Sequence, residues 1–398
     1  MNPDLENLQP YPFEKLAALK ADCQPPIELP HIALSIGEPK HANPEFITDA
    51  ITSNLDGFNR YPVTRGLPEL RQSIVSWLTK RFQLTASSLD ANQHVLPVNG
   101  TREALFAFAQ SVVDRSKDPA ILMPNPFYQI YEGAALLAGA EPIYLNTLEK
   151  NQFLIDYQSV SEAVWQRCQL LYLCTPGNPT GAVMSQQDMQ ELIGLADKYD
   201  FIIASDECYS ELYADESNPP AGLLQACRSM GRDDYHRCVV FHSLSKRSNV
   251  PGLRSGFVAG DAEIIQQFLL YRTYHGCAMP LPVQMASIAA WQDEQHVINN
   301  RNLYREKFRL VHQLLSPVLS IDIPAGAFYL WIETPISDTE FARRLFEQQN
   351  VTVLPGRFLS RESNGINPGI NRIRVALVAD KQECITAAER IRQFVETL

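Results

Sequence analysis

No stretch of this sequence approaches the roughly 18 consecutive apolar residues of a membrane-crossing helix, so no transmembrane span is expected. G-x-G-x-x-G, the Walker lysine motif, H-E-x-x-H and G-x-S-x-G are all absent. Without them neither a nicotinamide enzyme nor a metalloenzyme is supported, and His41, His94, His242 and His275 stand isolated. The eight cysteines (23, 168, 174, 208, 227, 238, 277 and 384) form no C-x-x-C and no metal-like cluster. In a long chain such scattered cysteines read as reduced, mostly buried thiols. The opening MNPDLENLQPYPFEKL has neither the basic start nor the apolar core of a signal peptide, so the expected location is the cytoplasm. Basic residues are in deficit, 34 against 45 acidic, for a formal charge of −11. That field repels polyanions, so neither nucleic acid nor an anionic membrane is an expected partner. An anionic substrate would need local arginines to hold it.

What is present is ordinary globular composition, 45% hydrophobic and 20% charged, which excludes a disordered or fibrous chain. A length of 398 residues predicts two or three domains. Short apolar runs alternate with amphipathic stretches. His94–Val98, Ala120–Met123, Pro142–Leu145, Leu170–Cys174, Phe201–Ser205, Val239–His242 and Ser255–Ala259 read as strands. Thr101–Val113, Phe127–Leu137 and Gln186–Lys198 read as helices between them. This alternation predicts an α/β domain over residues 45–280, with a mostly parallel sheet covered by helices. Beyond it the spacing predicts one long helix over Val283–Ser316, short strands at Phe328–Ile332, Thr352–Leu354 and Arg372–Val378, and a closing helix Lys381–Thr397. Residues 281–398, with an N-terminal arm over 1–44, then form a smaller α+β domain.

Several strand ends carry chemistry. Ser243-Leu-Ser245-Lys246 follows VVFH, and a lysine desolvated there favours the neutral amine that attacks carbonyls. A plain turn with a surface lysine would look the same. Asp206-Glu207-Cys208-Tyr209 ends another apolar run: the aspartate can keep a pyridine nitrogen protonated, and the tyrosine can donate to a phenolate oxygen. Asn178, in TPGNPTG, projects an amide from a loop fixed by two prolines. Asn99-Gly100-Thr101-Arg102 turns a strand into a helix whose first N–H groups suit a phosphate, and Arg254 in GLRSG is a second candidate. Tyr128, in PNPFYQIY, can stack on a planar ring. Arg374 and Arg372 both sit in an apolar strand and share a face by alternation, so the fragment alone does not choose between them.

Taken in order, G-T-R, P-x-Y-x-x-Y, N-P-T-G, D-E-C-Y, S-x-S-K, R-S-G and I-R-V-A-L resemble the class I and II aminotransferases of pyridoxal phosphate fold type I, from about Gly37 to the C-terminus. The resemblance implies an aspartate-aminotransferase-like fold, pyridoxal 5′-phosphate as cofactor, and amino acids and 2-oxo acids as substrates. It also implies a homodimer with shared active sites. It makes Lys246 the lysine that holds the cofactor and shuttles the proton, and Asp206 the partner of the pyridine nitrogen. Tyr209 and Asn178 become ligands of the ring oxygen, and Tyr128 the stacked aromatic. Thr101, Arg102 (through its backbone), Ser243, Ser245 and Arg254 match the phosphate cradle, and Tyr61 the tyrosine reaching a neighbouring subunit's phosphate. Arg374, now chosen over Arg372, matches the grip on the substrate α-carboxylate, with Gly37 beside it.

The block Ser243–Gly256 (SLSKRSNVPGLRSG), with LSIGEPKH and Pro124–Gly139, is similar to the succinyldiaminopimelate transaminases of bacterial lysine biosynthesis. That likeness implies glutamate as amino donor and N-succinyl-2-amino-6-oxopimelate as acceptor. Alternatives are an aminotransferase for aspartate or aromatic amino acids, or a carbon–sulfur lyase of the same fold. A non-catalytic regulator of the same fold would carry a DNA-binding appendage or lack Lys246. The succinyl arm bears another carboxylate, for which Arg65, Arg272, Arg357 and Arg361 are candidates. Phe127 stands where many relatives have a small residue and is expected to reshape the pocket edge.

Overall fold

The computed structural model describes residues 1–398. Seven strands form one sheet, in the spatial order Val95–Val98, Gly256–Gly260, Cys238–Ser243, Ile202–Asp206, Cys168–Cys174, Ala120–Asn125 and Glu141–Asn146. Gly256–Gly260 runs antiparallel to both neighbours, and every other pairing is parallel. The inner strands are apolar on both faces because helices cover both sides. Consecutive residues therefore enter different cores: Cys238 and Val240 pack with Trp77, Leu192 and Phe257, whereas Val239 and Phe241 pack with Phe108, Tyr131 and Phe268.

A smaller antiparallel sheet orders Leu354–Pro355, Arg372–Ala376 and Tyr329–Glu333. Phe308, Leu330, Phe341, Val375 and Ile391 make its separate core. The N-terminal arm joins this part, since Ile32–Ala33 pairs in parallel with Val351–Thr352. No helix is long and apolar enough to cross a membrane.

Three expectations change. The single helix over Val283–Ser316 is two, Leu281–Gln292 and Gln295–Leu315. The Asp293 side chain accepts the N–H of His296 at 2.9 Å, while its carbonyl accepts Arg247 Nη2 at 3.2 Å, so the backbone is diverted between them. The helix expected from Phe127 starts at Ile130, because the Phe127 N–H is turned across to Leu359 O at 3.0 Å. The strand expected over Thr352–Leu354 is two short ones, Val351–Thr352 and Leu354–Pro355.

Phe257 is fully buried beside the rings of Trp77, His242 and Trp291, with centroids 6.1, 5.1 and 5.0 Å away. Phe257→Ala is expected to destabilise the protein by about 3–5 kcal/mol, read as a lowered midpoint in thermal or urea unfolding.

Candidate active site

A cavity of about 370 Å³ opens at the carboxyl ends of the parallel strands, the edge at which open α/β sheets bind ligands. Gly37, Thr101, Arg102, Tyr128, Asn178, Asp206, Tyr209, Ser243, Ser245, Lys246, Arg254 and Arg374 all line it. Tyr61 does not; it is fully exposed elsewhere on the chain.

Lys246 sits in the one-turn helix Leu244–Arg247 that follows strand Cys238–Ser243. Ser243 Oγ caps that turn by accepting the Ser245 N–H at 3.1 Å. Lys246 Nζ donates to Gly37 O at 2.5 Å and lies 5.2 Å from the Phe328 ring centroid. Burial lowers the Lys246 ammonium pKa to about 8, so a useful fraction is the neutral amine near physiological pH. Its neighbour Arg247 turns the other way, into the core between the rings of Trp77 and Trp291.

Asp206 ends strand Ile202–Asp206 and is buried. Tyr131 OH donates to its Oδ2 at 2.7 Å and Cys208 N–H to its Oδ1 at 3.2 Å. Burial raises the Asp206 pKa; the Cys208 and Tyr131 donors oppose that shift. Tyr131 stacks on Tyr172 (4.7 Å, 13°), whose hydroxyl donates to Leu105 O at 2.7 Å. The position of this tyrosine was visible as the second aromatic of P-x-Y-x-x-Y; its partner was not. Glu207 points away from the cavity, accepting Ser205 Oγ at 3.0 Å and the Leu223 N–H at 2.8 Å. Tyr209 OH shares a 2.8 Å hydrogen bond with Tyr329 OH, another pocket residue the sequence did not reveal.

The other end of the cavity suits an anion. Helix Thr101–Val112 begins at Gly100 (φ 89°) with no side chain capping its first turn, and its dipole faces the pocket. The positive φ at position 100 favours glycine, and the missing Cβ lets the Arg254 guanidinium approach closely. Arg254 Nη2 is 3.0 Å from Glu103 Oε2.

Arg374 and Arg372 are separated by their surroundings. Arg374 is buried; Nη1 donates to Asn178 Oδ1 at 2.9 Å and Nη2 to Ser35 O at 2.7 Å. Its Nε is buried without a partner. Arg372 lies outside the cavity against Glu149 and the Phe153 ring. None of Arg65, Arg272, Arg357 and Arg361 lines the cavity. Arg357 pairs with Asp338 and Arg361 with Glu132, Arg65 donates to Gln266, and Arg272 to Cys277 O. Phe127 is also not at the pocket edge: it is buried and stacked on Tyr144.

The donor set fits pyridoxal phosphate. A helix N-terminus, two serines and Arg254 suit the phosphate, while a buried carboxylate suits a protonated ring nitrogen. A phenol and an amide suit the ring oxygen, a tyrosine the ring face, and a desolvated amine the aldehyde. The buried, unpartnered Arg374 Nε adds a donor for a carboxylate.

The family model for class I and II aminotransferases matches residues 30–391. LL-diaminopimelate aminotransferase of Aquifex aeolicus is 31% identical over 398 residues, covering 98% of each chain. A crystal structure of an aminotransferase from Neisseria meningitidis superposes with TM-score 0.95 at 51% identity, covering 99% of this chain and 100% of that one. A probable N-succinyldiaminopimelate aminotransferase from Thermus thermophilus superposes with TM-score 0.84 at 26% identity, over 96% and 99%.

Two outcomes follow from this geometry. The neutral fraction of Lys246 grows as pH rises through about 8, so capture of pyridoxal phosphate by the apoprotein should accelerate to half its maximum there, not near 10.5. Stopped-flow absorbance across pH checks this. Tyr131→Phe removes a buried donor to a carboxylate, about 1.5–3 kcal/mol. Spectrophotometric titration of the apoprotein should show cofactor affinity about tenfold or more weaker.

Proposed function

The chain belongs to the class I and II aminotransferases, which use pyridoxal 5′-phosphate, and from that premise we propose a specific reaction and a role for each residue. The reaction is amino-group exchange between glutamate/2-oxoglutarate and N-succinyl-2-amino-6-oxopimelate/N-succinyl-L,L-diaminopimelate. The single observation that carries the chemistry is one cavity holding a lysine of lowered basicity, a buried aspartate and a buried arginine with an unused donor.

When bound, pyridoxal phosphate supplies an aldehyde carbon for amines and a protonated ring that takes up the electron pair of a broken Cα–H bond. Lys246 would hold the cofactor through Nζ and, when its amine is free, would take up the proton from substrate Cα at that atom. Asp206, positioned by Tyr131, holds the proton on the ring nitrogen. Tyr209 and Asn178 donate to the ring oxygen. Thr101, the Arg102 backbone, Ser243, Ser245 and Arg254 hold the phosphate. Arg374 grips the α-carboxylate beside Gly37, orienting the Cα–H bond towards Lys246.

The lysine-pathway substrate is supported by the Ser243–Gly256 block and by the diaminopimelate names of the relatives. The Aquifex aeolicus relative favours a second reading, in which L,L-diaminopimelate itself is the donor without a succinyl group. Phe58, Tyr61 and Val63 form an exposed run well suited to a second copy, and Tyr61 then reaches the partner's phosphate site in a homodimer. The proposed location is the cytoplasm.

Half-reactions on the cofactor-loaded enzyme test this reading. N-Succinyl-L,L-diaminopimelate should convert the cofactor absorption to that of its aminated form at lower concentration than L,L-diaminopimelate, aspartate or aromatic amino acids. Conversion by the unsuccinylated compound alone would favour the second reading. Release of pyruvate and ammonia from a sulfur amino acid would instead indicate the lyase.

A further inference from the structure

The hydroxyls of Tyr209 and Tyr329 meet 2.8 Å apart at the cavity wall, and neither makes another hydrogen bond. They arrive from different parts of the molecule. Tyr209 follows strand Ile202–Asp206 of the large sheet, whereas Tyr329 opens strand Tyr329–Glu333 of the small one. Both are buried, with ring centroids 5.7 Å apart. Two phenols carry two O–H donors, and the bond between them uses one. Which donor is used, and where the other points, decides what the pair offers to a ligand.

The surroundings distinguish the two hydroxyls. Tyr329 Oη is packed against Gly37, where even a Cβ would collide with it, and the Gly37 carbonyl accepts from Lys246 instead. On the face of the Tyr329 ring, the Arg374 guanidinium lies 4.5 Å from the centroid. Burial raises the pKa of both phenols. At Tyr329 the Arg374 cation is the largest influence opposing that rise, whereas at Tyr209 burial, Tyr329 and Cys174 all outweigh it. A phenol beside a cation is the better donor, and its partner the better acceptor. The other groups facing Tyr329 are Cys174 from strand Cys168–Cys174, Tyr11 from the N-terminal arm and Tyr304 from helix Gln295–Leu315. Arg374 is the only cation among them.

We propose that Tyr329 is a positioning residue: it donates its hydroxyl proton to Tyr209, which turns the Tyr209 O–H towards the ring oxygen of the bound cofactor. Tyr209 then donates in a fixed direction, and two hydrogen bonds in series polarise it into a stronger donor than a lone phenol. The proposal rests on the reading of the cavity as a pyridoxal phosphate site, and it gives a residue of the small sheet control over the ring oxygen. Tyr329 acts through Tyr209, so its hydroxyl has no effect once Tyr209 has none.

The test is a double-mutant cycle on the cofactor-loaded protein, comparing wild type, Tyr329→Phe, Tyr209→Phe and the double variant. Phenylalanine at 329 keeps the ring on which Arg374 lies and removes only the hydroxyl. A donor aimed at the ring oxygen stabilises its anionic form, so the pH midpoint of the visible absorbance change lies lower with the donor than without it. Tyr329→Phe should raise that midpoint by about 0.4–1 pH unit, the equivalent of one neutral hydrogen bond. Tyr209→Phe should raise it further, and the double variant should match Tyr209→Phe. Titration of the apoproteins should show cofactor binding weakened in the same order. An unchanged midpoint in Tyr329→Phe overturns the proposal, and a lowered unfolding temperature beside it would make the hydroxyl pair structural. An equal shift from Tyr329→Phe when Tyr209 is already replaced also overturns it, because the hydroxyl would then act without Tyr209. If wild type takes up no pyridoxal phosphate, the reading of the cavity fails and the proposal with it. If it does so but ignores the succinylated compound, only the pathway assignment fails and the midpoints still decide Tyr329.

Discussion

The segment Leu34–Gly37 couples the two parts of the molecule through backbone carbonyls. Leu34 O accepts the Ala376 N–H at 2.7 Å, Ser35 O accepts Arg374, and Gly37 O accepts Lys246. Leu34 N–H in turn donates to Thr352 O at 2.8 Å. One short stretch therefore satisfies the cation of the large sheet and the cation of the small one, and fixes both relative to the cavity. Gly37 has to be glycine, because a Cβ there would collide with the Tyr329 hydroxyl that holds Tyr209. Moving this segment would leave two desolvated cations with fewer acceptors, and burial makes that costly.

A second constraint is how adjacent charged residues are separated. Lys246 enters the cavity while Arg247 enters the core between two indoles. Asp206 faces the cavity, and Glu207 faces Ser205, Leu223 and His242 behind it, with His242 Nε2 3.2 Å away. Strand alternation and a one-turn helix produce these splits at no cost in backbone strain. The buried Glu207 and Arg247 thereby anchor the peptide immediately after Asp206 and Lys246, which limits the freedom of both to drift.

Much of this was legible in the sequence because the reactive residues sit at strand ends, where short apolar runs give both the element and its direction. The seven sheet strands were readable in that way; that the twelve cavity residues belong to one site followed from the family resemblance of the ordered motifs, not from the strand pattern. Long-range pairings were not. Nothing local to Tyr131 marks its hydroxyl as the donor to Asp206, 75 positions away, nor Tyr329 as the partner of Tyr209. The break at Asp293 lies in a polar run, Gln292–His296, that a solvated helix face would also show; its contact with Arg247 comes from a residue distant in sequence. The choice between Arg372 and Arg374 also lay beyond local reading. They share a strand face, and only the position of Glu149 and Phe153 beside one, and of Asn178 and Ser35 beside the other, distinguishes them.

The shifts in acidity point one way. Burial raises Asp206, Tyr209 and Tyr329 and lowers Lys246, so each group is pressed towards its neutral form. In the proposed mechanism neutrality suits Lys246, as a reacting amine, whereas Asp206 would have to be an anion to hold a protonated ring nitrogen. Tyr131 and the Cys208 N–H work against burial by donating to the carboxylate, although its pKa stays raised. Burial acts on both groups alike, but at Asp206 two donors counter it, whereas at Lys246 it prevails over the one carbonyl acceptor, that of Gly37.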